Sequence, residues 1–519
     1  MIYTNGTILT LDEKQQVEAI LVQDGRITCS GSLAECQSAA DDEIYDLQGK
    51  VLMPAFMDAH SHLCALSSTM GLVDLSSARS HQDIVDMLAR YIETNEIPKG
   101  EWVSGFGYDH NFLKEKEHPH AKLLDQFDNP ILIAHVSGHM GVCNTLGLKA
   151  LGIDENTADP EGGKIGRDDK GCTGYLEETA FTTTTSKMPP KNMEQRVKEL
   201  KMAQQLYLSY GITTVQDGYT TVADFELLKE ASDHGELKCD VVSYVDLKSN
   251  AFLIDEYSVY VKQYRNKLKI GGYKIFLDGS PQGRTAWMKQ PYVGEEEYRG
   301  YPIYTDEQVE AFMKKAVEDK MQILTHCNGD AAAQQLIDAY EKALAGNDVD
   351  LRAVMVHAQL VDEEELKKMG CLKMIASFFV AHTYYWGDIH IQNFGYDKAK
   401  DISPVKWAIK HGVDYTFHQD TPVIPPNMFE TVWCAVKRMT KNGVALDQAQ
   451  CVDVKEALKG VCQNAAYQYF EEKTKGSLSV GKLADMIVVS DNPLTCDVDS
   501  IKDIQVLKTF KEGNIVYQR

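Results

Sequence analysis

Residues 51–63 read VLMPAFMDAHSHL, an apolar run of strand length that ends in two histidines one position apart. In a strand, residues i and i+2 share a face, so His60 and His62 point to one spot. Two imidazoles on one spot suit a borderline metal such as zinc. Ligands at the carboxyl end of a buried strand are how a parallel α/β barrel presents its chemistry.

Seven further runs have the same strand character: Ile212 to Gln216, Val241 to Val245, Tyr273 to Leu277, Met321 to Thr325, Ala353 to Val356, Lys373 to Phe379 and Asp414 to Phe417. Helical patterns alternate with them. Val309, Phe312, Met313, Ala316 and Val317 form one face of a helix over Thr305 to Lys320, opened by a Thr305/Gln308 capping box. Asp330 is placed to cap a helix carrying Leu336, Ile337, Tyr340 and Leu344. Glu194 to Tyr210 and Phe225 to Ala231 also read as helices. With Val51 to Ala59 as the first strand, eight β-then-α units predict a (β/α)8 TIM barrel.

About 150 residues separate the first two strand candidates, so the barrel carries a long insertion at about 64–208, expected over its active-site end. Both ends of the chain read as β. Ile2 to Leu11 and Glu18 to Cys29 (turning at Asp24-Gly25) face Met486 to Val489, Val506 to Phe510 and Ile515 to Tyr517 at the other terminus. Each set alone buries too little, which predicts one small β-sandwich domain from both termini. The expected organisation is 1–50 and 471–519 for that domain and 51–470 for the barrel.

Of 519 residues, 53 are Lys or Arg and 76 are Asp or Glu, a net charge of −23 that argues against nucleic acid or an anionic membrane as partner. No window approaches the ~18 apolar residues of a membrane span, and the first residues lack a signal-peptide pattern. Twelve cysteines without a CxxC pair read as free thiols. The expectation is a cytoplasmic protein.

Other strand ends carry the same kind of chemistry. Lys274 lies in the fourth strand; His326, His357 and Asp420 follow the fifth, sixth and eighth. Each alone has a plain reading: a hydrogen-bonded histidine, an interior lysine paired with a carboxylate, a helix cap. The set is what points to a metal site. A second His-x-His, His118-Pro119-His120, follows a charged run and reads as a solvated loop.

LMPAFMDAHSHL resembles the opening motif of the amidohydrolase superfamily, and KGSLSVGKLADMIVVSDNPL resembles its return to the small β domain. YKIFLDGSPQGRTA, THCNGDAA, VHAQL, HQDTPV, SGHMGVCN and EGGKIGRDDKGCTGYLEE are similar to segments of the family-3 amidohydrolases, which include N-substituted formamide deformylase. FFVAHTYYWGDIH resembles a subgroup labelled exoenzyme regulatory protein.

The resemblance implies a binuclear centre of two divalent metal ions, with zinc the leading choice. His60, His62 and Asp420 hold one ion, His326 and His357 the other, and a carboxylated Lys274 bridges them. Asp420, Lys274 and His357 are the implied catalytic residues, and hydrolysis by metal-activated hydroxide is the implied reaction. His139, His382 and Arg284 are the substrate-binding candidates. The implied activity is hydrolysis of a non-peptide carbon–nitrogen bond in a small N-acyl or N-formyl compound. A deaminase or cyclic amidohydrolase, or a regulatory protein without turnover, are the alternatives. A small-molecule partner and a homodimer are the family expectation. The chain departs from the pattern at Ala55, at Pro281-Gln282-Gly283, and at His418-Gln419, where His418 can alter proton transfer, crowd substrate or bond to Asp420.

Overall fold

The computed structural model describes residues 1–40, 42–169, 171–185, 187–347 and 349–519, which form two compact units, residues 1–66 with 200–519, and residues 67–199. The larger unit is organised by one eight-stranded parallel sheet: β1 (Phe56–Met57), β2 (Ile212–Thr220), β3 (Asp240–Asp246), β4 (Leu268–Phe276), β5 (Gln322–Cys327), β6 (Val354–His357), β7 (Ile375–Phe378) and β8 (Asp414–Phe417). Each strand pairs with its neighbours in chain order. Strands covered on both faces must be apolar throughout, and β3, β6 and β7 are buried at every position. Met57, Val242, Tyr244, Leu324, Val354, Val356 and Ile375 pack into a core closed by Ala465 and Tyr469. At the carboxyl ends, His62 N–H donates to the Thr421 carbonyl at 2.9 Å, linking the segments that follow β1 and β8.

The run Val51 to Ala59 is two strands, not one. Val51–Pro54 pairs with Met486–Val489 and Thr7–Leu9 in a sheet of the terminal segments, whereas Phe56–Met57 pairs with β2. The switch occurs between adjacent residues: Ala55 N–H donates to Asp485 O at 3.0 Å and Phe56 N–H to Gly211 O at 2.9 Å. Pro54, with no N–H to offer, sits where donation to the first sheet is interrupted. Both chain ends do meet. A six-stranded sheet orders Asn514–Gln518, Val506–Lys511, Met486–Val489, Val51–Pro54, Thr7–Leu9 and Gln16–Val17, and a four-stranded sheet holds the remaining amino-terminal strands. Tyr3, Ile8, Ile20, Leu52, Met486 and Phe510 share one core.

The Thr305 capping box is present, with Gln308 bonding back to it, and the helix runs Asp306–Glu318. Asp330 does not cap its helix: Gly329 is the capping residue, and the Asp330 carboxylate instead accepts from Lys289 N and pairs with Lys398 Nζ at 2.6 Å. Those partners lie outside the helix and draw the side chain away from its N-terminal N–H groups.

Residues 67–199 have their own six-stranded mixed sheet. Leu72–Asp74, Val103–Tyr108 and Ile131–His135 are parallel; Met140–Cys143, Gly171–Glu178 and Gly163–Asp168 continue it antiparallel. Helix His81–Thr94 supplies Ile84 and Leu88 to a core with Val73, Val103, Ile131 and Val142. Among the described residues, no helix is long and apolar enough to cross a membrane.

Candidate metal centre

Six side chains expected to hold metal come from five strand ends of the larger unit. His60 and His62 follow β1 in extended chain, which sets their ring centroids 5.0 Å apart. Asp420 follows β8 at φ 56°, a left-handed conformation costly for a side-chain-bearing residue and concentrated at functional sites. That turn aims its carboxylate at both rings: Oδ1 lies 3.4 Å from His60 Nε2 and 3.1 Å from His62 Nε2. Neither contact is aligned as a hydrogen bond, so Oδ1 is a buried oxygen with no donor. One ligand atom from each of these residues falls within a single ion-sized cluster.

Lys274, in β4, is fully buried, with Nζ 3.2 Å from His60 Nε2. Burial pushes its pKa down to about 7, against the opposing pull of Asp420, so the neutral amine is populated near neutral pH. His326 and His357 end β5 and β6, and His326 Nδ1 lies 3.0 Å from His357 Nε2. His357 also has positive φ, 74°. Burial holds His60 and His357 well below the usual imidazole range and pushes His326 down to about 4. Neutral imidazoles are the metal-binding form. Asp420 would be raised by burial, but the surrounding imidazoles, His357 first, keep it well below the carboxylate range and therefore ionised.

The residues behind these ligands were not singled out from the sequence. Gln216, in β2, accepts at Oε1 from His60 Nδ1 at 2.6 Å, while its Nε2 donates to Ala59 O and the Tyr469 hydroxyl. That arrangement puts the proton of His60 on Nδ1 and leaves the Nε2 lone pair facing Asp420. His326 Nε2 lies 3.2 Å from the Gly279 carbonyl, which accepts its proton and leaves the Nδ1 lone pair for the His357 side. Asp278 accepts the backbone N–H groups of Trp287, Asn328 and Gly329, and burial raises its pKa to about 7. Position was the available signal: Gln216 ends the run Ile212 to Gln216 read from the sequence, although the strand itself continues to Thr220.

His418 does not bond to Asp420. Its Nε2 lies 3.1 Å from His357 Nδ1, and its Nδ1 is 2.8 Å from Ser377 Oγ, so it positions His357 from behind.

The substrate-binding candidates do not join the cluster. His382 is buried with Nδ1 3.0 Å from His390 Nε2, its ring against Phe379 and Trp386. The Arg284 guanidinium bonds to Val293 O at 3.1 Å and pairs with Glu295 at 3.2 Å. His139 is exposed in the smaller unit, 3.0 Å from Glu178 Oε2.

The chain belongs to the amidohydrolase family, which matches residues 43–517. It is 28% identical, over all of this chain and 99% of the relative, to YtcJ of Bacillus subtilis (strain 168), a protein named as an amidohydrolase. It is 26% identical to the N-substituted formamide deformylase of Arthrobacter pascens over 99% of this chain and 98% of that one. The crystal structure of an uncharacterized metal-dependent hydrolase from Pyrococcus horikoshii OT3 superposes with a TM-score of 0.77 at 26% identity, covering 96% of this chain and 99% of that one. The protein is thus a hydrolase of carbon–nitrogen bonds from a metal-dependent family.

Proposed function

We propose that the chain is a metal-dependent amidohydrolase cleaving the carbon–nitrogen bond of a small N-acyl or N-formyl compound. In this reading the curled sheet is a closed (β/α)8 barrel, spanning about 55–470 with its insertion at about 64–208, because Val51–Pro54 lies in the terminal sheet. Residues 1–54 and 471–519 make the β-sandwich beside it. The observation that carries the reading is Asp420 Oδ1, buried without a donor and 3.4 and 3.1 Å from two imidazole nitrogens. At His60, whose proton Gln216 holds on Nδ1, the oxygen faces a ring lone pair, an arrangement that a cation between them would stabilise.

His60, His62 and Asp420 would hold one divalent ion and His326 with His357 a second, with Lys274, as its carbamate, reaching both. The neutral amine favoured by burial at Lys274 is the form that adds carbon dioxide, releasing one N–H proton to solvent, and two cations would offset the resulting anion. A metal held there would supply a water acidified toward pH 7 and a polarising charge for the substrate carbonyl. The chain supplies the rest. Asp420, kept ionised, accepts the proton of the attacking water at a carboxylate oxygen and returns it to the leaving nitrogen. Gln216 and His418 hold the rings of His60 and His357 so that nothing reorients during the step.

The buried Lys274, 3.2 Å from His60, favours this reading over a one-metal deaminase, which has no use for a bridging lysine. Metal content per chain by mass spectrometry, on protein purified without chelators, tests it. About two equivalents, lost in Lys274→Ala together with formamide and N-acyl hydrolysis, is the expected result. About one equivalent, unchanged by that substitution, would overturn the bridged centre.

A further inference from the structure

A second convergence of ligand-type side chains lies wholly within residues 67–199. Val103–Tyr108 and Ile131–His135 are adjacent parallel strands whose carboxyl ends are in register, Tyr108 opposite His135. A break in the ladder between Phe106 and Tyr108, with Gly107 at φ 99°, turns the chain so that the next residues, Asp109 and His110, face the end of the neighbouring strand. Asp109, His110 and His135 each bring one ligand atom to the same place.

The three mutual distances define the geometry. His110 Nδ1 is 3.2 Å from His135 Nε2, His135 Nε2 is 3.5 Å from Asp109 Oδ1, and His110 Nδ1 is 3.8 Å from Asp109 Oδ1. A tetrahedral ion with bonds of about 2.0–2.1 Å holds its ligands about 3.3 Å apart, so the triangle is close to one face of that tetrahedron. We propose that Asp109, His110 and His135 bind a divalent transition metal of the zinc class, with solvent at the fourth position.

The surroundings fit that role. Asp109 accepts Asn111 N at 2.9 Å and Asn111 Nδ2 at 3.0 Å, contacts that lower its pKa and keep it anionic. Burial lowers the pKa of His135, favouring the neutral ring. Ser137 Oγ, 2.9 Å from His135 Nδ1, supplies the acceptor that a metal-bound imidazole needs at its other nitrogen. The Ser137 N–H donates to that nitrogen at 3.1 Å, so a metal at Nε2 would require the ring proton to move to Nδ1, toward Oγ, and this N–H to give up its bond. His118, expected in a solvated loop, is half-buried instead. Its ring lies 4.0 Å from that of His110 and its Nδ1 is 3.0 Å from the Tyr108 hydroxyl, which steadies the His110 ring without adding a ligand. Asp109 and His110 side chains are about a quarter exposed, at 23% and 28%, which leaves a path for solvent and for the ion.

The test is cobalt and zinc loading of the full chain after chelator stripping, in a His60→Ala/His62→Ala/His326→Ala/His357→Ala background that removes the histidine ligands of both ions of the first centre. About one equivalent should remain, with the visible bands of four-coordinate Co(II). His135→Ala and His110→Gln, each added to that background, should remove both the ion and the bands. His110→Gln keeps side-chain volume at a partly exposed position, so it gives a reading even if His135→Ala does not fold. Unchanged metal content and bands in His110→Gln would overturn the site, and so would a background that retains no metal.

Discussion

Gln216 Oε1 and His60 Nδ1 are 2.6 Å apart, Gln216 within β2 and His60 just beyond the end of the adjacent parallel strand β1. This contact fixes which nitrogen of His60 carries the proton, and therefore which one can face an ion. Gln216→Leu keeps the bulk but removes the acceptor. Metal affinity should fall by about 10–100-fold, the usual cost of losing such a partner. Competition against a chromophoric chelator measures it; unchanged affinity would mean that the tautomer is set elsewhere.

Gly218 lies on the same strand as Gln216. A Cβ there would sit 2.5 Å from His60 Cε1, 2.8 Å from the Ser61 carbonyl and 2.9 Å from Gln216 Oε1. His60 is hemmed in on all sides, so it cannot yield without leaving its place. Gly218→Ala should lower metal content per chain and activity together, while far-ultraviolet circular dichroism stays that of the parent.

Asp420 is the proposed proton carrier. Asp420→Asn preserves shape but removes the basic oxygen. The expected loss in kcat is about 10²–10⁴-fold, the range of general acid–base contributions, with KM changed far less. Equal losses in a metal-reconstituted variant would attribute the effect to proton transfer rather than to occupancy.

Periodicity and strand-end position made most of the larger unit legible. The run of eight strands, the meeting of the two termini and the six clustered ligand candidates all follow from local patterns of apolar and polar residues. What stayed hidden depends on pairing partners. Nothing in VLMPAFM marks the point between Ala55 and Phe56 where the chain leaves one sheet for another, because both sheets bury both faces. Asp330 reads as a helix cap until Lys398 and the Lys289 N–H, distant in sequence, claim its carboxylate. His118 sits in a charged run, and only the fold stacks it on His110. Arg284 looked free to meet an anion, yet Glu295 already meets it.

Asp240 ties the carboxyl-terminal segment to β3. Its Oδ2 lies 2.6 Å from Lys475 Nζ and 2.7 Å from Lys511 Nζ, and Lys511 also reaches Asp485 at 2.7 Å, all buried. Burial alone would raise the Asp240 pKa, but the two ammonium groups outweigh it and hold the carboxyl well below its ordinary value. A carboxyl whose folded pKa is depressed contributes stability that is fully present above its unfolded pKa of about 3.9 and is lost as pH falls toward the folded one. Thermal midpoints should therefore be insensitive to this group near neutrality and drop below about pH 4. Asp240→Asn removes the anion the two buried lysines share, leaving Lys475 with Glu471 at 2.6 Å and Lys511 with Asp485, so the cost at neutral pH stays below the roughly 3–5 kcal/mol of a fully unpaired buried charge. The variant should melt lower at pH 7 and lose part of the acid-dependent drop, because the group responsible for it no longer titrates. A variant with the parent's midpoint at pH 7 would show that Asp485 and Glu471 compensate both lysines without it.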